Sequence, residues 1–160
     1  MSTVLGVVRY STRIRDFSVS PREVAVGERV HVSGFLEFYN WTTIPPGWWG
    51  LDGHEVEIRA DGAVVGRAVT SEGGRFSTYI TFGNPGTYTV KAVYKGTFTP
   101  FQDWMPSESV EIVVTVLSPE EKKEREERRI EQQKAWGMLL AMTAMTVAVV
   151  GATAVLLRRR

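Results

Sequence analysis

The chain has 160 residues, 43% hydrophobic and 23% charged, with a formal net charge of +1 and no cysteine. The missing thiol excludes disulfide scaffolds, thiolate zinc sites, cysteine nucleophiles and iron–sulfur clusters. Two histidines, His31 and His54, far apart and without helical i, i+4 spacing, are poor material for a metal site, and near-neutrality argues against a nucleic-acid partner, which calls for a basic excess. No cofactor is expected.

Residues 1–13 read as an N-terminal extension. Its apolar stretch, Val4 to Val8, is five residues long and is followed by Arg9, Arg13 and Arg15, which is not the order of a secretory signal. From 14 to 117 the pattern is that of strands. Val30, Val32, Gly34, Leu36 and Phe38 alternate with Arg29, His31, Ser33 and Glu37, predicting a strand with one face in a core. Val56, Ile58 and Ala60 alternate with Glu55, Glu57 and Arg59, and Asp61-Gly62 supplies a hairpin turn towards Val64, Val65 and Val69. Phe76 to Phe82, Tyr88 to Tyr94 and Val110 to Val116 repeat the alternation between Gly-rich turns. About seven strands in about a hundred residues, with no helical period, predict an all-β two-sheet sandwich.

Phe17-Ser-Val-Ser-Pro21, Val26-Gly27-Glu28 and Val30-His-Val-Ser-Gly34, followed by Val56 to Gly62, Gly73-Gly-Arg-Phe76 and Pro85-Gly-Thr-Tyr88-Thr-Val-Lys-Ala92, carry a family resemblance. The run is similar to the immunoglobulin-like domains repeated in bacterial and archaeal surface proteins. The resemblance covers 14–117 and implies an immunoglobulin-like sandwich, with Tyr88 in the place of a tyrosine corner. Such domains serve as spacers, adhesins and docking modules, so the resemblance leaves the activity open.

Residues 118–134 are charge-dense. Ser118, Pro119 and Glu121 form a helix-start signal, and Glu121 with Arg125 and Glu124 with Arg128 stand at i, i+4 in the favourable order. This predicts a solvated helical stalk. Ala135 to Leu157 contains no charge; as a helix it would extend about 34 Å, enough for a hydrocarbon core of about 30 Å. It is therefore expected to be a transmembrane helix continuing the stalk, with Trp136 at the interface and residues 158–160, three arginines, as a basic tail. Gly137 and Ala141, and Ala144, Ala148 and Ala152, are helix-packing candidates through small-xxx-small spacing.

No catalytic constellation emerges: there is no phosphate loop, nucleophile elbow or calcium loop, and Glu55 and Glu57 read as solvent-facing strand residues rather than a catalytic pair. The aromatics say more. Trp41, Trp48 and Trp49 fall in the stretch Asn40 to His54, and Phe98, Phe101 and Trp104 in the stretch Thr97 to Ser107. In an immunoglobulin-like topology these stretches join strands B to C and F to G at one end of the sandwich, so the rings are expected to meet there, away from the membrane. Two readings stay open: the rings cap the core, or they are exposed and dock a partner. Asn40-Trp41-Thr42 is a possible N-glycosylation triplet.

The expected function is a non-enzymatic, single-pass membrane-anchored structural or adhesion module of a cell surface, envelope or virion. Its expected partners are the lipid bilayer and other protein subunits, through the helix and the loop tip, with no nucleic acid. The alternatives are an accessory subunit of a larger membrane complex and a carbohydrate-binding surface module. The sandwich is placed outside the membrane, on its relatives and the neutral stalk, against a six-to-three excess of basic residues on the stalk side.

Overall fold

Alternation between apolar and polar side chains over Val30–Asn40 forces that segment to be extended, with Val30, Val32 and Leu36 on its core face, and the rest of the first sheet is built along it. The computed structural model describes the backbone of residues 7–157 and the side chains of residues 7–139. In chain order the strands are β1 (Val8–Tyr10), β2 (Thr12–Ser20), β3 (Glu23–Ala25), β4 (Val30–Asn40), β5 (Gly47–Gly50), β6 (Glu55–Ala60) and β7 (Ala63–Val69). Then come β8 (Arg75–Ile80), β9 (Gly86–Tyr94), β10 (Thr97–Phe98), β11 (Gln102–Trp104), β12 (Ser107–Glu108) and β13 (Ile112–Leu117), followed by the helix α1 (Pro119–Leu157). The chain is mostly β, with several sheets and one C-terminal helix among the described residues.

In the four-stranded sheet, β2 pairs along β4 from Thr12 opposite Phe38 to Ser20 opposite His31, with a bulge near Asp16, whose φ is 51°. The other edge of β4 is divided between β8, opposite Val30–Phe35, and β5, opposite Glu37–Asn40. The half-strands meet at Leu36, whose N–H donates to the Gly74 carbonyl at 2.7 Å and whose carbonyl accepts from the Leu51 N–H at 2.9 Å. A six-stranded sheet runs β3-β13-β9-β6-β7, with β12 also on β9. The third sheet, β1-β11-β10, is small and begins at Val8, inside the stretch read from the sequence as an extension. Its first strand lies parallel to Gln102–Trp104, more than 90 positions away, a pairing that local alternation cannot reveal.

Both large sheets feed one core. Val30, Val32, Leu36, Phe76 and Ile80 come from the four-stranded sheet; Val24, Val56, Ile58, Val90 and Val114 come from the six-stranded one, and all are essentially without solvent exposure. Burial of each such side chain stabilises the fold by about 1.5–3 kcal/mol. Because β13 runs antiparallel to β9, Leu117 lies at the Gly86 end of the β unit, opposite the end that holds Tyr94, Thr97 and Trp104.

The chain divides into two units, Met1–Ser118 and Pro119–Arg160. In the second, α1 starts immediately after Ser118, and its surface carries the ion pairs Glu124–Arg128 at 2.6 Å and Glu126–Arg129 at 3.2 Å. The single-pass membrane anchor expected from the sequence is overturned: among the described residues no helix is long and apolar enough to cross a membrane. A span needs about 20 consecutive apolar residues. The described side chains of α1 end at Leu139, and only five uncharged residues there follow Lys134. The outward placement of the β unit relative to a bilayer falls with the anchor. Gly137 is exposed, while Ala141, Ala144, Ala148 and Ala152 lie outside the residues whose side chains are described, as does the basic tail.

Candidate functional site

Adjacent residues of a strand point to opposite faces, so Phe38 and Tyr39 at the end of β4 send the aromatics of this end into two separate clusters. On the solvent face of the four-stranded sheet, Tyr39 stands edge-on to Trp48 of β5, with ring centroids 5.3 Å apart, and to Trp41 at 5.2 Å. The Arg13 guanidinium, reaching over from β2, lies 4.0 Å from the Trp48 centroid. The same group is held from the other side, since Arg13 Nε donates to Glu37 Oε2 at 2.7 Å. Arg15 Nε donates to the second Glu37 oxygen at 3.0 Å and packs 5.3 Å from the Phe35 ring. Glu37 is only 8% exposed beneath the two arginines, whereas Trp48 and Trp41 remain 38% and 55% exposed. The arrangement is a fixed row of Trp, Arg and Phe on an open face.

Farther along that face His31 Nε2 lies 2.7 Å from Ser77 Oγ, with the Tyr79 ring tilted beside the imidazole, centroids 5.2 Å apart. Activating a hydroxyl for attack requires a water-excluded site with donors aimed at the developing oxyanion. This pair stands on the solvent side of a sheet.

The second cluster faces inward and caps the core. Tyr10 meets Phe38 edge-on at 5.4 Å and stacks on Trp104 at 6.1 Å; His54 lies 5.2 Å from Trp104 and 5.6 Å from Tyr94. Tyr94 donates to Thr97 Oγ1 at 2.9 Å, and His54 Nδ1 is 2.9 Å from the phenol and 3.1 Å from the Thr97 hydroxyl. Burial lowers the His54 pKa. Burial likewise raises that of Tyr94, against a smaller opposing effect of the Thr97 hydrogen bond. Trp104 Nε1 is buried with no hydrogen-bond partner among the described residues.

No family model, curated protein or solved structure matches this chain.

The sequence-derived candidates therefore do not form one group. Trp41 and Trp48 share the outward cluster, and Trp104 belongs to the core cap. Trp49, 52% exposed, stands opposite Phe38 on the face away from Trp48. Phe98 is exposed on the small sheet and Phe101 in the turn between β10 and β11. Asn40 Oδ1 accepts from the Thr42 N–H at 3.0 Å and from its hydroxyl at 2.7 Å, closing a turn at the rim of the outward cluster. Arg13, Arg15, Tyr39 and Glu37 escape sequence reading as members of this site, although the sequence carries one signal: the odd-numbered positions of β4 share the face opposite the core, and Tyr39 is two residues beyond Glu37.

The opposite face of the β unit differs in kind. Lys91 pairs with Glu108 at 2.7 Å, and Arg67 approaches Glu55 at 3.7 Å. Glu57, read from the sequence as solvent-facing, is 3% exposed. It is bonded by Lys95 at 2.6 Å and Arg59 at 2.8 Å, with Arg67 at 3.6 Å. The Lys95 hydrogen bond, then that of Arg59, holds its carboxyl below the ordinary range despite burial. That face neutralises itself. Among the described residues no three His, Asp or Glu side chains converge as a metal site.

Proposed function

We propose that this chain is a non-enzymatic, immunoglobulin-like structural or adhesion module that docks another protein through the Trp41, Tyr39, Trp48 and Arg13 face. The observation that carries the reading is Trp48, clamped between Arg13 and Tyr39 while more than a third of it stays exposed. Trp, Tyr and Arg dominate binding hot spots, and a ring already fixed in place loses little rotamer entropy on binding. One side of that ring is covered by the guanidinium, which favours a protein partner over a sugar stacked on an open indole.

Three features support the immunoglobulin-like frame. Two sheets share one core; the chain passes from the four-stranded sheet to the six-stranded one around Pro21, between β2 and β3; and the Tyr88 hydroxyl donates to the Asn84 carbonyl at 3.0 Å, as a tyrosine corner does. The test is site-specific photo-crosslinking in the native assembly, with a photoreactive residue at 41 or 48 and a control at Val113, exposed on the six-stranded sheet. Protein adducts at 41 and 48 but not at 113, abolished by Trp48→Ser in the 41-labelled chain with the unfolding midpoint unchanged, are expected. Equal labelling at all three positions would sink the reading.

A further inference from the structure

The edges of the large sheets are unequally protected. β2 lies against β12 and β13, and β8 lies against β7, so those edges shield one another at the corners of the β unit. β5 ends its sheet, and among the described residues no strand pairs on its outer side. At Gly50 the turn at Gly73 and Gly74 packs directly against the strand, leaving no room for a side chain, and Pro45 and Pro46 block extension at the other end. What stays open is a three-residue edge, Gly47-Trp48-Trp49. Natural proteins blunt such edges with charge, proline or a bulge. Here the three residues carry none of these, and an exposed tryptophan stands on each face.

We infer that β5 pairs antiparallel with β5 of a second copy of this chain, about a two-fold axis through Trp48. This rests on reading the Trp48 face as a protein-docking surface and names its occupant. The register follows from side-chain direction. Directly opposed residues in an antiparallel pair share a face, so the two Trp48 rings lie side by side on the Arg13 and Tyr39 face. On the other face each Trp49 falls across from Gly47 of the second copy. A Cβ built on Gly47 meets nothing within 4 Å, so the space above that glycine is free to receive the indole, a cross-strand pairing of aromatic with glycine. An occupant must carry large apolar groups at adjacent positions, one for each face. The uncharged Trp48-Trp49 pair meets that requirement and, being the same patch on both copies, closes the assembly at two. Three residue pairs form a small interface, at the weak end of specific ones, so a dissociation constant of about 10 μM to 1 mM is expected.

Sedimentation equilibrium of the full chain from about 1 μM upwards is the test. The expected result is a concentration-dependent dimer whose dissociation constant rises at least tenfold with Gly47→Val, which fills the receiving space and whose Cβ meets nothing within 4 Å in the monomer, and with Trp48→Lys. Unfolding midpoints measured at low concentration should not move for Gly47→Val. A chain monomeric to about 1 mM overturns the inference, as does a dimer that survives both substitutions. If the chain is monomeric yet residues 41 and 48 cross-link to a different protein, the pairing fails and the docking reading stands; with neither dimer nor adduct, both fail.

Discussion

Two glycines illustrate how a single hydrogen atom decides the local fold. A Cβ on Gly74 would lie inside the Leu36 carbonyl oxygen and near Gly50, and the residue has φ +83°; Gly53 has φ +77° but open space around it. The junction of β5 and β8 on β4 depends on that close approach, and Asp52 secures it by accepting from the Gly74 N–H at 2.5 Å. Gly74→Ala should therefore cost about 3 kcal/mol or more, from strain plus overpacking, against about 1 kcal/mol for Gly53→Ala. Denaturant titration of both variants checks this; equal losses would refute the junction's role. Titration of three side chains sets the pH response. His54 and Glu57 have lowered folded pKa values, so each stabilises the fold fully above its unfolded pKa and loses that contribution as pH falls through the folded one. Tyr94 is raised, so its contribution is complete below its unfolded value and is lost as pH rises through the folded one. The midpoint of thermal unfolding should be level from about pH 7 to 9 and fall on both sides. His54→Gln should remove the first acid step, below about pH 6.5, and Glu57→Gln the later one; an unchanged acid limb in both variants contradicts the assignment.

At the scale of the element, β4, β6, β8, β9 and β13 were legible because each buries alternate residues against a core, a signal written within the strand itself. β1, β5, β10 and β11 were not. They have two to four residues and are extended because distant segments pair with them: Val8 with Gln102, Trp49 with Phe38, Phe98 with Asp103. Trp48, Trp49 and Trp104 thus read as loop residues although they lie in strands, and the division of the aromatics into an outward and an inward cluster, a consequence of Phe38 and Tyr39 being neighbours, is not visible in the sequence. Strand length and position also order local stability. β8 has six residues and lies against β7, while β5 has four and an open side. At low protein concentration, amides of β5 should exchange with solvent faster than those of β8, although both pair with β4. Hydrogen exchange read by mass spectrometry or NMR decides it, and equal protection would mean that β5 is held by something other than β4.

For the whole molecule the question is where the stability resides. Every member of the core cluster among the described residues lies between Phe17 and Val116, and the charged pairs Arg13–Glu37, Lys91–Glu108 and Lys95–Glu57 lie within the same β unit. The charge of +1 has the same division: residues 1–117 contribute 10 minus 12, residues 118–134 contribute 6 minus 6, and the tail contributes +3. The β unit is then mildly acidic and self-sufficient, and α1 over 119–134 is sustained by exposed pairs such as Glu124–Arg128, worth about 0.3–0.5 kcal/mol each. A chain ending at Ser118 should consequently fold, with a thermal midpoint within about 3 °C of the full chain, since a change of about 1 kcal/mol moves a domain of this size by about 4–8 °C. A peptide of residues 119–134 alone should show a small helical circular-dichroism signal that weakens with added salt, because its nucleation cost is offset only by screened pairs. If truncation at Ser118 instead lowers the midpoint by more than about 10 °C, beyond any surface effect, the β unit borrows stability from the helix and the division of the chain at Pro119 is not an energetic one.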